Sequence, residues 1–142
     1  KDNQADASFD LNLEFSAPAY GQLMQGRLLI FKPALVSRTS SVALTEKDRT
    51  HPIRIPSTSF TETAVFELPE GFIVDETPDT LDLKTSFGTY STSFATSEGK
   101  LIYKRSLVTK RTVVPSEKYD SVKDFYAQIV NSEQTPVVLV KQ

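Results

Sequence analysis

The chain has 142 residues with no cysteine, one histidine and a formal net charge of −2. Its apolar fraction of 39% and charged fraction of 24% are typical of a globular domain, and its length is sufficient for one hydrophobic core. The chain lacks the excess of basic residues that nucleic-acid binding requires, so a nucleic-acid partner is not expected. No apolar run approaches the roughly 18 residues of a membrane-spanning helix. The absence of cysteine excludes disulfides and thiolate metal sites.

Alternating apolar and polar residues predict β-strands along most of the chain. Residues 9–15 alternate in this way near the N-terminus, and residues 22–31 resume an extended pattern. Residues 33–56 are irregular and are interpreted as a long loop with short strands. Further along, two strands on either side of a turn at Phe87-Gly88-Thr89 and a third strand over residues 100–111 predict an antiparallel meander.

The third strand of this meander has apolar residues on both faces. One face carries Leu101, Tyr103 and Leu107, and the other carries Ile102 and Val108. A β-bulge and burial on both faces would each account for this pattern.

A tight turn is predicted at Leu68-Pro69-Glu70-Gly71, between two apolar, strand-like runs. Pro69 presets the backbone dihedral φ, and Gly71 permits a positive φ. The flanking strands can therefore reverse direction or pass from one sheet to another.

An amphipathic helix is predicted over residues 121–132, near the C-terminus. Its apolar residues recur at the spacing of one helical face: Val122, Phe125, Tyr126, Ile129 and Val130. Ser121 followed by Asp124 resembles a capping arrangement, and Asp120 is the other candidate for the N-cap. Pro136 ends the helix, and the apolar run after it is predicted as a last strand.

These elements predict a mainly β fold, an antiparallel β-sandwich of about seven to nine strands with one C-terminal amphipathic helix. Residues 1–142 are expected to form a single domain. Because the sequence begins with Lys1 instead of methionine, we expect a processed protein or a part of a longer one. The predicted core consists of Phe9, Leu11, Leu13, Leu29, Phe31, Val65, Phe66, Leu68, Phe72, Leu81, Leu83, Phe94, Leu107, Phe125 and Ile129.

The sequence offers few candidates for catalysis. A cysteine nucleophile is excluded, and a serine triad would have to take its base from His51. No Gly-x-Ser-x-Gly motif accompanies this histidine, so a surface or structural role beside Pro52 is favoured. Zinc usually takes three or four ligands, and no second histidine or cysteine can join His51. We therefore predict no catalytic, cofactor-binding or metal-binding residue.

Acidic residues form the best candidate for a calcium site: Asp75, Glu76, Asp79 and Asp82. They lack the order of an EF-hand and Pro78 interrupts them, so a solvated loop is favoured. Glu67 and Glu70 flank the predicted turn at a spacing that would allow two carboxylates to act in acid–base catalysis. Such pairs of carboxylates also arise by chance in β-proteins.

Basic residues recur along the third strand: Lys100, Lys104, Arg105, Lys110 and Arg111. Since acidic residues are plentiful elsewhere, these side chains are predicted to solvate an exposed strand and not to bind phosphate. No glycine-rich phosphate-binding loop accompanies them.

A series of motifs runs in order from Arg49 to the end of the chain. The motifs are RTHPI at 49–53, FELPEGFIV at 66–74, DETPDTLDL at 75–83, GTYSTSF at 88–94, EGKLIYKRSL at 98–107, VPSEKYDSVKDFYAQI at 114–129 and VVLVK at 137–141. Their order and spacing resemble the C-terminal β-domain of bacterial transglutaminase-like proteins, a family recorded as a domain of unknown function. This family-like block spans residues 49–142, and residues 1–48 resemble the strands and loop that precede it.

The resemblance implies that the domain accompanies a papain-like transglutaminase core with a Cys-His-Asp triad. The triad has no counterpart here, so no catalytic role is carried over to any residue. The resemblance also implies a periplasmic or envelope-associated domain from a Gram-negative bacterium. We therefore expect a non-catalytic accessory domain, not an enzyme, that packs on the core of its own parent chain without a cofactor and without membrane insertion.

The alternative is an envelope β-sandwich that binds a glycan or a peptide. Tyr20, Tyr90 and Tyr103 are its candidates for stacking surfaces. A concave aromatic patch would favour this alternative, whereas a broad exposed apolar patch would favour docking to a neighbouring module.

Overall fold

The fold is taken from a computed structural model, which describes residues 2–3, 8–9, 17, 19–36, 38 and 44–142. Within these residues lie twelve strands, one α-helix and one short 3-10 helix. The strands are β1 Asp2–Asn3, β2 Ser8–Phe9, β3 Gln22–Met24, β4 Leu28–Phe31, β5 Ile53–Ile55, β6 Thr58–Glu67, β7 Phe72–Glu76, β8 Asp82–Lys84, β9 Gly88–Ser97, β10 Lys100–Thr109, β11 Thr112–Val114 and β12 Val137–Lys141. The 3-10 helix is Ser116–Lys118, and the α-helix, α1, is Tyr119–Gln134.

Two four-stranded antiparallel sheets form the body of the domain. The main sheet has the strand order β6-β10-β9-β8, and the second sheet has the order β3-β4-β12-β7. Strands β11 and β5 form a separate two-stranded ribbon, and β1 pairs with β2. The predicted mainly β, antiparallel fold with one C-terminal helix is confirmed. The described strands outnumber the predicted seven to nine, because strands of two or three residues are too short to show alternation.

One face of the main sheet carries the core, and two different layers cover it. At one end, Leu101 of β10 packs with Phe31 of β4 and with Val137 and Leu139 of β12, which joins the two sheets. At the other end, the apolar face of α1 and the inward side of the ribbon cover the sheet. The buried residues of this second cluster are Ile53, Ile55, Phe87, Tyr90, Val114, Tyr119, Val122, Phe125 and Ile129.

The predicted core is partly right. Phe31, Phe125 and Ile129 are buried, and Val65 is exposed. The other predicted residues whose burial is described are half-buried: Leu29, Phe66, Leu68, Phe72, Leu81, Leu83, Phe94 and Leu107. Val65 is 55% exposed, because the alternation of β6 turns its neighbours Ala64 and Phe66 inward instead. Leu11 and Leu13, and the side chain of Phe9, lie outside the described residues.

Strand β10 contains no bulge. It pairs without interruption with both β6 and β9 from residue 100 to residue 109. Leu101 and Tyr103 are buried on its inner face, whereas Ile102 is half-buried and Val108 is exposed on its outer face. The strand is therefore buried on one face, and neither explanation offered for its mixed pattern holds.

The turn at Leu68-Pro69-Glu70-Gly71 connects the two sheets. Gly71 has a φ of 78°, as predicted, and the amide of Phe72 donates to the carbonyl of Pro69 at 3.0 Å. Strand β6 belongs to the main sheet and β7 to the second sheet. Of the two predicted outcomes, the passage between sheets is the one observed.

The turn predicted at Phe87-Gly88-Thr89 lies earlier in the chain. The amide of Thr85 donates to the carbonyl of Gly88, and the amide of Gly88 donates to the Thr85 hydroxyl, which closes the turn at residues 85–88. Gly88 instead begins β9, where a Cβ atom would lie 2.8 Å from the carbonyl oxygen of Val108. The glycine therefore permits close approach of two strands.

Helix α1 begins before the predicted position. It follows directly from the 3-10 helix, so its N-cap is Lys118, which makes no side-chain capping hydrogen bond. The predicted caps at Ser121 and Asp120 are wrong, because both residues lie inside the first turn. None of the helices in the described part of the chain has the length and apolar character needed to cross a membrane.

Candidate functional site

A buried charged cluster lies at the centre of the core. Arg105 was predicted to solvate an exposed strand, and this prediction is wrong, because its side chain is only 3% exposed. Along β10, Arg105 has the same parity as Leu101 and Tyr103, so the pleat directs all three side chains inward. The guanidinium therefore lies between the two apolar ends of the main sheet.

Arg105 donates hydrogen bonds to three separate elements. Its Nε donates to Oε2 of Glu62 on the adjacent strand β6 at 2.6 Å, and its Nη1 donates to Oε1 of Glu133 in the last turn of α1. Its Nη2 donates to the backbone carbonyl of Val36. The five side chains Glu62, Tyr90, Tyr103, Arg105 and Glu133 are named the Arg105 cluster below.

Glu62 also holds the segment that follows β4. Its Oε1 accepts the backbone amides of Leu35 at 3.0 Å and Val36 at 3.1 Å. Arg105 binds the carbonyl of Val36, so this segment is held through two backbone amides and one backbone carbonyl. The cluster thus connects the main sheet, the end of α1 and the chain that leaves the second sheet.

Burial is the dominant influence on the two tyrosines of the cluster. The Tyr90 hydroxyl donates to Glu133 Oε1 at 3.1 Å, and burial raises the pKa of Tyr90 far above its ordinary value. Burial also raises the pKa of Tyr103 to about 12, although the charge of Arg105 and the Tyr90 hydroxyl act in the opposite direction. The Tyr103 hydroxyl has no hydrogen-bond partner of ordinary geometry among the described residues.

The charges of the cluster favour the ionised guanidinium. Burial acts to lower the pKa of Arg105, but the hydrogen bonds and charges of Glu62 and Glu133 outweigh it and raise the pKa. A buried ion pair adds little net stability over a well-packed apolar group, whereas removal of one partner leaves an uncompensated charge. Each of the three nitrogens Nε, Nη1 and Nη2 of Arg105 donates to a protein atom, so the arrangement joins three parts of the fold.

The candidates singled out in the sequence lie on the surface. His51 is exposed, with Nδ1 3.0 Å from the Thr50 hydroxyl oxygen. Glu67 lies near Lys100 at 3.7 Å, and Glu70 is exposed in the turn. His51, Glu67 and Glu70 therefore do not meet in a common cleft.

The acidic candidates do not converge. Asp75, Glu76 and Asp79 are exposed, and Asp82 forms an ion pair with Lys84 at 2.7 Å. Over the residues that the structure describes, no group of three or more histidine or acidic side chains is arranged to hold a metal ion. The basic residues other than Arg105 that were predicted to be exposed are so: Lys100, Lys104, Lys110 and Arg111.

The predicted tyrosine stacking surface does not form. Tyr90 and Tyr103 are each 1% exposed and lie in the Arg105 cluster. Tyr20 alone of the three is exposed, and its hydroxyl donates to the carbonyl of Lys32 at 2.5 Å.

The outer face of the second sheet is apolar. Strand register places Met24, Leu28, Val140 and Ile73 in one row across all four strands. The next row has Ile30 and Val138 at its centre and the polar residues Gln22 and Glu76 at its edges. The six apolar residues are named the aliphatic face. Met24 is 43% and Ile73 is 42% exposed, and the other four are half-buried. None of the six belongs to a buried core cluster among the described residues.

The outer face of the main sheet is different in chemistry. Hydroxyl side chains dominate it: Ser59, Thr61, Thr63, Thr89, Ser91, Ser93 and Ser106. Lys104 lies among them, and Val65 is the most exposed aliphatic residue of this face. The polar face is typical of a sheet surface in contact with water, and the aliphatic face is not.

A depression of about 350 Å³ adjoins the aliphatic face. Tyr20, Ile30, Lys32 and Arg38 line it, together with Gln22 and Pro136. The amine of Lys32 donates to Gln134 Oε1 at 2.5 Å, which connects this depression to the end of α1. The aliphatic face could be recognised only with the strand pairing in hand, because its members come from four separate segments of the sequence.

The fold and these surfaces define a small antiparallel β-sandwich domain with one helix, a buried ionic cluster and one apolar outer face. A family model described as Domain of Unknown Function with solved-structure structure (DUF3858) matches residues 27–139. The chain belongs to this family. The match begins before Arg49, where the motif series starts, and so includes the interior strand β4. Neither the curated proteins nor the solved structures gave a match.

Proposed function

We propose that this chain is a non-catalytic accessory domain that packs on the transglutaminase-like core of its parent protein. The proposed location is the periplasm or cell envelope of a Gram-negative bacterium. The aliphatic face is the observation that carries the docking half of the proposal. The identity of the core rests on the motif series from Arg49 onward.

The aliphatic face has the composition of a protein–protein interface. Soluble domains rarely expose contiguous apolar patches larger than roughly a few hundred Å², and such patches mark interaction sites. The hydroxyl-rich outer face of the main sheet serves as an internal comparison, since the same chain keeps that sheet surface polar.

The chemistry of the chain supports a non-catalytic role. Acyl transfer of the transglutaminase type requires a thiolate nucleophile activated by a histidine, and the sequence contains no cysteine. His51 is exposed, and its nearest described polar contact is the neighbouring Thr50.

The docking test compares two matched aspartate variants. Ile73→Asp introduces a charge on the aliphatic face, and Val65→Asp introduces the same charge at a similarly exposed aliphatic residue on the polar face. The measurement is the binding of each domain variant to the separately purified remainder of the parent chain by calorimetry. We expect Ile73→Asp to weaken binding at least about tenfold, which corresponds to about 1.4 kcal/mol, and Val65→Asp to leave it unchanged. Equal effects of both variants, or no binding by the original domain, would contradict the docking proposal.

The catalytic half is tested separately. The purified chain is expected to release no ammonia from glutamine peptides and to transfer no acyl group to an amine. Amide hydrolysis or transamidation that is lost in His51→Ala would overturn this half and leave the docking result unaffected.

A second candidate function is recognition of an envelope glycan or peptide. The depression beside the aliphatic face favours it, because Tyr20 could stack on a sugar ring while Lys32 and Arg38 bind an acidic group. Binding of an acidic glycan that is lost in Tyr20→Ala, with core association intact, would support this function over docking.

A further inference from the structure

The outer side of the β5–β11 ribbon presents two arginines. Ribbon register pairs Thr112 with Ile55 and Val113 with Arg54. Ile55 is buried in the core, so the pleat directs Arg54 and Val113 outward together. Arg111 lies in the bend directly before β11 and lines the same groove as Arg54 and Val113.

The two guanidiniums are carried on a fixed support. Ile53, Ile55 and Val114 hold the inner side of the ribbon in the core, and the Thr109 hydroxyl donates to the carbonyl of Pro56 at 2.7 Å. A groove of about 610 Å³ lies along the outer side and is lined by Arg54, Ile55, Pro56, Arg111, Thr112 and Val113.

The groove combines positive charge with exposed apolar surface. Neither Arg54 nor Arg111 forms an ion pair with an acidic side chain in the described part of the chain. Val113 is 60% exposed, the largest value among the large apolar residues described. This local chemistry contrasts with the net charge of −2 of the whole chain.

We propose that this groove binds an extended acidic peptide segment with two carboxylates at positions i and i+2 and an apolar residue beside them. Arg54 lies opposite Val113, and Arg111 lies two residues before Val113, a spacing close to that of diagonal positions in an antiparallel pair, which is about 7–8 Å. Side chains at i and i+2 of an extended peptide are about 7 Å apart and point to the same side. Each guanidinium can therefore bind one carboxylate through two parallel hydrogen bonds, while Val113 contacts the apolar residue.

The proposal concerns a different surface from the aliphatic face. Peptide binding in the groove neither requires nor excludes docking to a transglutaminase-like core. A negative result in the peptide experiment therefore leaves the docking proposal standing, and the reverse is also true. An extended peptide fits this groove better than a small free anion, because its carboxylates repeat at the spacing of the two arginines. A small anion would also make no use of the apolar lining.

The test measures binding of a fluorescein-labelled Glu-Ser-Glu-Ser-Val peptide to the 142-residue chain by fluorescence anisotropy. A Gln-Ser-Gln-Ser-Val peptide of nearly the same shape lacks the charge. The protein variants are Arg54→Gln and Arg111→Gln, with Lys104→Gln on the polar face of the main sheet as the matched control. All three residues are exposed, so the variants should keep the melting temperature of the original chain.

The acidic peptide should bind more tightly than its glutamine counterpart, and each arginine variant should weaken binding about tenfold. Lys104→Gln should leave binding unchanged. The proposal is overturned if the two peptides bind equally, if all three variants lose affinity to the same extent, or if inorganic phosphate displaces the peptide at equal concentration. The last outcome would identify a site for small anions in its place.

Discussion

At the scale of single residues, Arg105 shows how strand parity overrides the usual position of a charged side chain. The residues on either side of it, Lys104 and Ser106, lie on the outer face of the main sheet, whereas Arg105 lies in the core. Its burial is possible because Glu62, Glu133 and the carbonyl of Val36 accept its hydrogen bonds.

Loss of the Arg105 side chain should destabilise the domain strongly. Arg105→Met leaves two buried carboxylates without their cation, and we expect a loss of about 3–5 kcal/mol in the free energy of unfolding. Lys104→Met, one residue away but exposed, should change it by less than about 0.5 kcal/mol. Urea denaturation measures both. If Arg105→Met does not fold, Arg105→Lys keeps the charge without the planar fork and should show an intermediate loss. A loss below about 1 kcal/mol in Arg105→Met would contradict the role assigned to the cluster.

The two tyrosines of the cluster should respond differently to removal of their hydroxyls. Tyr90→Phe removes the donor to Glu133 and should cost about 1–3 kcal/mol. Tyr103→Phe removes a buried hydroxyl that has no hydrogen-bond partner of ordinary geometry among the described residues, so it should be neutral or slightly stabilising. The same denaturation experiment on both variants provides the comparison. Equal losses would show that the Tyr103 hydroxyl is bonded in solution.

At the scale of elements, helix α1 forms because its apolar face is buried and not because its N-terminus is capped. Lys118 provides no side-chain cap, and the first turn carries only Asp120 as a favourable charge. Val122, Phe125 and Ile129 are each 2% exposed or less in the cluster shared with the ribbon. Tertiary packing is therefore the main source of the stability of this helix.

Truncation of the central aromatic residue of the helix tests this source. Phe125 contacts the ring of Phe87 edge to face at a centroid distance of 5.3 Å. Phe125→Ala should cost about 3–5 kcal/mol in the free energy of unfolding, since it removes a buried ring and leaves a cavity. Gln128→Ala, exposed on the same helix, is the control and should have little effect. A loss of less than about 1 kcal/mol in Phe125→Ala would contradict the assignment of Phe125 to the core.

At the scale of the whole molecule, the buried tyrosines couple the fold to alkaline pH. Burial raises the pKa of Tyr103 to about 12 and also raises the pKa values of Tyr90 and Tyr126. The charged groups that face Tyr103 are Arg105, Glu133 and Glu62. Such a tyrosine keeps its proton in the folded chain at a pH where the unfolded chain has lost it.

The stability of the domain should therefore fall at high pH. The contribution of Tyr103 is complete below the ordinary tyrosine pKa of 10.0 and is lost as the pH rises from there to about 12. Free energies of unfolding measured from about pH 8 to pH 11 should decline above about pH 10. Tyr103→Phe should make this decline shallower. A stability that stays constant over the whole interval would contradict the burial of these hydroxyls.

The sequence by itself determined the kind of fold. Alternation with period two predicted the strands of the meander, the spacing of Val122, Phe125 and Ile129 predicted the helix, and Gly71 predicted a turn with positive φ. These features are local, since propensity and side-chain parity act within a few residues of the chain. The absence of a thiol likewise follows from the sequence alone.

Only the tertiary structure decided which faces are buried and which charges meet. Val65 and Phe66 are adjacent and equally apolar, and the layer that covers β6 determines that Phe66 packs in the core while Val65 is exposed. Glu62, Arg105 and Glu133 are separated by 43 and 28 residues along the chain, so no local pattern relates them. The aliphatic face is assembled from four strands in the same way. Contacts of this kind depend on strand register and on packing between layers, which are properties of the folded chain as a whole.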